Sequence, residues 1–157
     1  MSAIRRRRRE QGMTLLELVI ATGILLILST AALPVVKFTV MRSREQELHR
    51  DLREMRNAID RYKDIADRNL IRTEVDSENY PPDLDTLVKG TEYGGSGVQK
   101  MRFLRRIPVD PMTGRADWGL QSVQDDPDAT SQGGNNVFDV HSKSQATALD
   151  GSKYSDW

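Results

Sequence analysis

The sequence predicts an α+β protein. One long N-terminal helix, its first half membrane-spanning and its second half amphipathic, packs against a small C-terminal antiparallel β-sheet with extended loops. Three observations predict it. Residues 18 to 36 form an uncharged, largely apolar run closed by Lys37. From Leu48 onward apolar residues return at helical spacing. Beyond Asn69 the chain changes to clusters of Pro, Gly, Asn and Asp (NYPPDLD, YGGSG, DPMTG, SQGGNN, LDGS), which interrupt helices and make turns. The chain therefore divides into a basic leader (1–12), an apolar helix (13–36), its amphipathic continuation (37–68) and a small β-rich head (69–157).

The 157 residues suit one domain of ordinary size plus an appendage. Formal charge balances to zero, but unevenly along the chain. The first nine residues hold five arginines and no acid, whereas residues 117 to 139 hold five aspartates and no Lys or Arg. The lack of cysteine excludes disulfides, Cys-ligated zinc and thiol catalysis. Two histidines without Ser-His-Asp or H-E-x-x-H spacing leave no catalytic constellation, so the sequence argues against an enzyme.

The 19 uncharged residues from Leu18 to Val36 rise about 28 Å as a helix, close to the ~30 Å hydrocarbon thickness of a bilayer. A buried core helix and a secretory signal peptide are the alternatives. A signal peptide has a shorter apolar core and a small-residue cleavage site, and here Pro34 and a long polar helix follow instead. Arg5 to Arg9 orient the segment with residues 1 to 12 in the cytoplasm. Nucleic-acid binding by the same run has no aromatic residues or surrounding fold to support it. Glu17 is the one acid in the apolar stretch. A carboxylate near the middle of a spanning helix costs roughly 2.5–3.5 kcal/mol, and less near an end. It is either tolerated at headgroup level or it has a partner. Pro34 removes a backbone donor and predicts a kink or a melted stretch near residues 31 to 34.

Leu48, Leu52, Met55, Ile59, Tyr62 and Ala66 follow one another at spacings of four, three, four, three and four, which is a single helical stripe. Under three heptads is short for a coiled coil, so a head packed on the stripe is expected. His49 lies among charged residues and reads as a solvated surface group. In the head, Asp83 to Val88 predicts a short helical turn, and Tyr93 to Gly97 a mobile loop without the P-loop lysine. Strands are predicted over Arg115 to Val123 and Asn136 to Ser142, the second alternating Val137, Asp139 and His141 against Phe138, Val140 and Ser142.

A basic leader ending in Gly12, then Met-Thr-Leu-Leu-Glu-Leu, then the apolar run, resembles the N-terminal signal of type IV pilins and type II secretion pseudopilins. YKDIADRN…NYPPDLDTLV, FLRRIPVDPMTGRADWGL and the ending FDVHS…LDGSKYSDW resemble the major, G-type pseudopilins in particular. The resemblance implies cleavage after Gly12 by a prepilin peptidase and N-methylation of Met13, where the family usually has phenylalanine. Glu17 and Pro34 fall on the family's fifth and twenty-second mature positions. It implies that Glu17 of an assembled subunit meets the new α-amino group of an incoming one. The implied chain is an inner-membrane, single-pass subunit of a periplasmic filament serving protein secretion. Its partners would be copies of itself, minor pseudopilins, the peptidase, the inner-membrane assembly platform and its ATPase, with no nucleic acid.

A surface type IV pilin is the alternative, and it often carries a C-terminal cysteine pair that this chain lacks. A tip subunit would lack Glu17 or carry a larger head. Many major pseudopilins bind calcium in the C-terminal loop, where Asp150 and Asp156 lie here, and Asp125, Asp126 and Asp128 form a second acidic loop. The alternatives are that these aspartates cap turns, or that Tyr154 and Trp157 lock the loop by packing.

Overall fold

The computed structural model describes residues 13–94, 99–126, 129 and 132–157, with the side chains of residues 31–35 outside the description. The chain forms two compact units, Met1–Val40 and Met41–Trp157. Helix α1, Leu15–Asp67, contributes to both. It runs unbroken across position 34, so the melted stretch expected near residues 31 to 34 is not found. A proline withdraws one donor and crowds one turn, while its neighbours keep helical dihedrals and their own bonds.

In the second unit the expected stripe is the core. Leu48, Leu52, Met55, Ile59, Tyr62 and Ala66 are all buried, joined by Ala58 on the same face. From the head, Leu87, Phe103, Leu104, Trp118, Val140 and Tyr154 close over them. Tyr62 meets Phe103 edge-on, with ring centroids 5.3 Å apart. Burial of these side chains is the main favourable term for so small a head, at about 1.5–3 kcal/mol for each large apolar group.

Helix α1 stops where its sequence supplies a left-handed residue. Asn69 adopts φ 57°. Its N–H bonds Ala66 O, and Leu70 N–H reaches back to Ile65 O at 3.2 Å. This paired closure satisfies carbonyls left open by the last turn. Helix α2, Leu84–Lys89, is the expected short turn, capped by the Asp83 carboxylate, which accepts from Thr86 N at 2.6 Å.

Among the described residues four three-residue strands form two antiparallel ladders. β1 (Thr91–Tyr93) pairs with β2 (Gln99–Met101), and β3 (Gly119–Gln121) pairs with β4 (Asp139–His141). The β3–β4 pair falls inside the two expected strands. The β1–β2 hairpin was not expected, and only the ends of the YGGSG loop, Tyr93 and Gly94, are among the described residues. The alternation expected over residues 137–142 fails at its start. Val140 and Ser142 are buried as a pair, but Val137 is also buried and Phe138 exposed. Val137 lies before β4 and takes its orientation from its bond to Pro81 O at 2.8 Å. Phe138 instead meets Tyr80 edge-on at the surface.

The DPMTG turn is built around one carboxylate. Asp110, fully buried, accepts from Met112 N and from the Ser142 hydroxyl, both at 2.7 Å. Its backbone closes the turn against Arg115 and Gly114, the latter at φ 71°. Trp118 beyond the turn donates its indole N–H to Pro108 O at 3.0 Å.

Candidate functional site

Among its described residues, the first unit is a helix whose apolar side chains from Leu15 to Leu28 are left uncovered. From Leu15 to Leu28 every large apolar residue is exposed, Leu15 by 82% and Leu18, the least, by 51%. They lie all round the helix rather than on one face. The polar groups of this stretch are turned inward. The Thr22 hydroxyl donates to Leu18 O at 2.9 Å, Ser29 to Leu25 O at 2.7 Å and Thr30 to Ile27 O at 2.8 Å. A hydroxyl that bonds its own backbone presents little unmet polarity outward, as an apolar surrounding requires.

Glu17 is the exception. Thr14 precedes the helix and caps it: its Oγ1 accepts from Glu17 N at 3.2 Å, and its carbonyl accepts from Leu18 N at 3.1 Å. Thr14-Leu15-Leu16-Glu17 has the spacing of a capping box, a helix-start signal carried by the sequence itself. Only half of the box is made. Glu17 is exposed, and no group among the described residues bonds its carboxylate. An acid in the first turn also suits the positive end of the helix dipole. Among the described residues, the helix start therefore accommodates Glu17 locally and engages its backbone rather than its carboxylate.

Met13, 72% exposed, stands immediately before the cap. Gly12 and the arginine leader lie outside the described residues, and Pro34 lies within α1 with its side chain outside them. Among the described residues no helix is long and apolar enough to cross a membrane. The span expected over residues 18–36 includes residues 31–35, whose side chains are not described.

The head contains a polar cleft of about 710 Å³ whose charges are largely paired. Arg56 grips the Asp139 carboxylate with two bonds, 2.6 and 3.2 Å, and also reaches Val140 O. Lys143 pairs with Asp117. The His141 imidazole lies over Gly119, where any Cβ would collide with it. Burial, with Arg56 and Lys143 nearby, lowers its pKa and favours the neutral ring. Among the described residues neither histidine hydrogen-bonds a hydroxyl or a carboxylate, so no activated nucleophile is assembled there.

The expected calcium candidates do other work. Asp150 accepts from both the backbone N–H and the hydroxyl of Ser152, at 2.9 and 2.7 Å. Those bonds hold its carboxyl below the usual range. Asp156 accepts from the Ser155 hydroxyl. Asp125 accepts from Ser122 N and Gly133 N and so ties its own loop together. Asp128 lies outside the described residues. Among the described residues no three acidic or histidine side chains converge. Calcium takes six to eight oxygens, and these side chains as arranged do not form such a cage. His49 is exposed, as expected of a surface group, and in addition it stacks on Trp157 with centroids 4.2 Å apart and planes 9° from parallel.

A family model described as the prokaryotic N-terminal methylation motif matches residues 7–33. The match spans the end of the arginine run, Gly12, Met13, Glu17 and the bare apolar helix. It marks this segment as type IV prepilin-like, which implies processing by a prepilin peptidase and filament assembly, and it is a motif of structural subunits rather than enzymes. No curated protein and no solved structure matches the chain.

Proposed function

We propose that the chain is a structural subunit of a periplasmic pseudopilus, polymerising through its N-terminal helix to drive type II protein secretion. The observation that carries this reading is the methylation motif on a helix start whose one carboxylate, Glu17, has no partner among the described residues and stands amid exposed apolar side chains. The peptidase cuts after Gly12 and methylates Met13. The new α-amino group has an unperturbed pKa of about 7.7–8.0 and is largely cationic at neutral pH. In the membrane an uncompensated amine or carboxylate is costly, and bringing the two together between subunits offsets much of that cost. Glu17 of one subunit thereby selects the amine of the next and sets the axial register. Pro34 lies toward the far end of the spanning segment. The resemblance of DPMTG and YSDW to major pseudopilins, and the lack of a cysteine pair, favour the secretion filament over a surface pilus. The partners are copies of the chain, minor pseudopilins, the assembly platform and its ATPase.

Glu17→Gln separates this role from helix capping, because glutamine serves the capping-box position but carries no charge. Coexpressed with a prepilin peptidase, the variant is expected to be cleaved, giving a mature N-terminus at Met13 by mass spectrometry, yet to fail to enter filaments. Wild-type incorporation of Glu17→Gln would sink the pairing, and an uncut leader on the native chain would sink the whole reading. Surface labelling distinguishes the alternative: a type IV pilin is labelled on intact cells, a periplasmic filament only after the outer membrane is opened.

A further inference from the structure

We propose that the C-terminal segment Ala146–Trp157 is fastened to α1 by a clasp centred on the Glu45 carboxylate, and that this clasp, rather than a divalent cation, holds the head's C-terminal loop in place. One oxygen of Glu45 accepts two bonds from opposite ends of the loop. Leu149 N donates to Oε1 at 2.8 Å and the Tyr154 hydroxyl at 2.9 Å. Tyr154 is 1% exposed, so its ring anchors the segment in the core while its hydroxyl reaches the carboxylate. Bonds to an ionised acceptor are the stronger kind, and this pair joins positions more than a hundred residues apart in sequence.

The aromatic groups extend the clasp. Trp157 meets Tyr154 edge-on at 5.0 Å and stacks its other side of the loop on His49 of α1. Its indole N–H donates to Ser152 Oγ at 2.7 Å, and that same hydroxyl donates to Asp150. A relay therefore runs from Trp157 through Ser152 to Asp150. The backbone closes the loop from within, through Ala148 N to Ser152 O at 2.8 Å and Tyr154 N to Ala146 O at 3.2 Å.

The donor set is poor for a cation. Among the described residues no three acidic or histidine side chains converge. Glu45 Oε1 and Asp150 Oδ1 are each already occupied by two donors, so a bidentate grip on a metal by either carboxylate would displace those bonds. The loop thus has internally the fixation that a metal would otherwise supply. This inference concerns the head alone and does not rest on the filament reading.

Amide hydrogen exchange on the full chain in detergent micelles tests it. Exchange at residues 148–157 is expected to be the same in excess EDTA and in millimolar calcium chloride. Tyr154→Phe is expected to speed exchange there by about tenfold, the factor that loss of one charge-assisted bond corresponds to, and Glu45→Ala, which removes the acceptor of both bonds, by more than that. Tyr154→Phe keeps the buried ring, so it reports on the hydroxyl bond with the packing intact. Slower exchange at these amides in calcium, faster exchange in EDTA, or native exchange in Tyr154→Phe would each overturn the proposal.

Discussion

The two stretches of α1 use the same backbone and opposite surroundings. From Leu15 to Leu28 leucine, isoleucine and valine face outward in every direction, and the hydroxyls turn back on the helix itself. From Leu48 to Ala66 the apolar residues keep to one stripe, and the head buries it. The same side chain therefore does two jobs. Leu52, 1% exposed, contributes to a core that the chain completes alone, whereas Leu26, 69% exposed, contributes nothing until lipid or another chain covers it. Helix formation says little about which case applies. The angular distribution of apolar residues decides it.

The sharpest way to break that comparison is to make one substitution in both places. Leu52→Ala is expected to destabilise the head by about 2–5 kcal/mol in a urea denaturation series, because a large buried side chain is removed from a packed site. Leu26→Ala is expected to leave the same transition unmoved and to weaken only filament assembly. Equal loss of head stability in both variants would mean that the two stretches are not independent.

A smaller effect is expected within the head itself. Asp110→Ala leaves the Ser142 hydroxyl and Met112 N–H without their acceptor, one of them fully buried, and costs about 1–3 kcal/mol by the same assay. The smallest expected effect is alkaline. Burial, then the bond to Glu45, raises the Tyr154 phenol to about 12, and burial raises Tyr62 in the same direction. An unfolded tyrosine loses its proton near 10, so the folded head holds protons that the unfolded chain gives up. Stability is full below about pH 10 and falls as pH rises toward 12. Tyr154→Phe should flatten that fall, leaving the share due to Tyr62; an unchanged slope would place the loss elsewhere.

The regular parts of the head were legible because they repeat. The stripe from Leu48 to Ala66 has a period, and Asp83 and Asn69 are residue types whose local bonding suits a helix start and a helix end. The β1–β2 hairpin was not legible: TEY and QKM are short, polar and without alternation, so pairing shows only in three dimensions. The Glu45 clasp was hidden for another reason. Its partners are 104 and 109 residues away, and nothing local to Glu45 distinguishes it from the other charges of α1. His49 is exposed, as its charged neighbours indicate, but its stacking on the distant Trp157 was not legible. The capping box at Thr14 to Glu17 was legible but overshadowed, because the oddity of an acid in an apolar run draws attention from the ordinary helix-start pattern that contains it.

The inward-turned hydroxyls of Thr22, Ser29 and Thr30 have a mechanical consequence. A helix surface that spends its hydrogen bonds on itself behaves as a greased bearing. A neighbour sliding along it meets shape and dispersion but breaks no directional bond, so lateral friction is low. If subunits pack through this stretch as proposed, Glu17, its one carboxylate, is the single tooth on which such motion would catch.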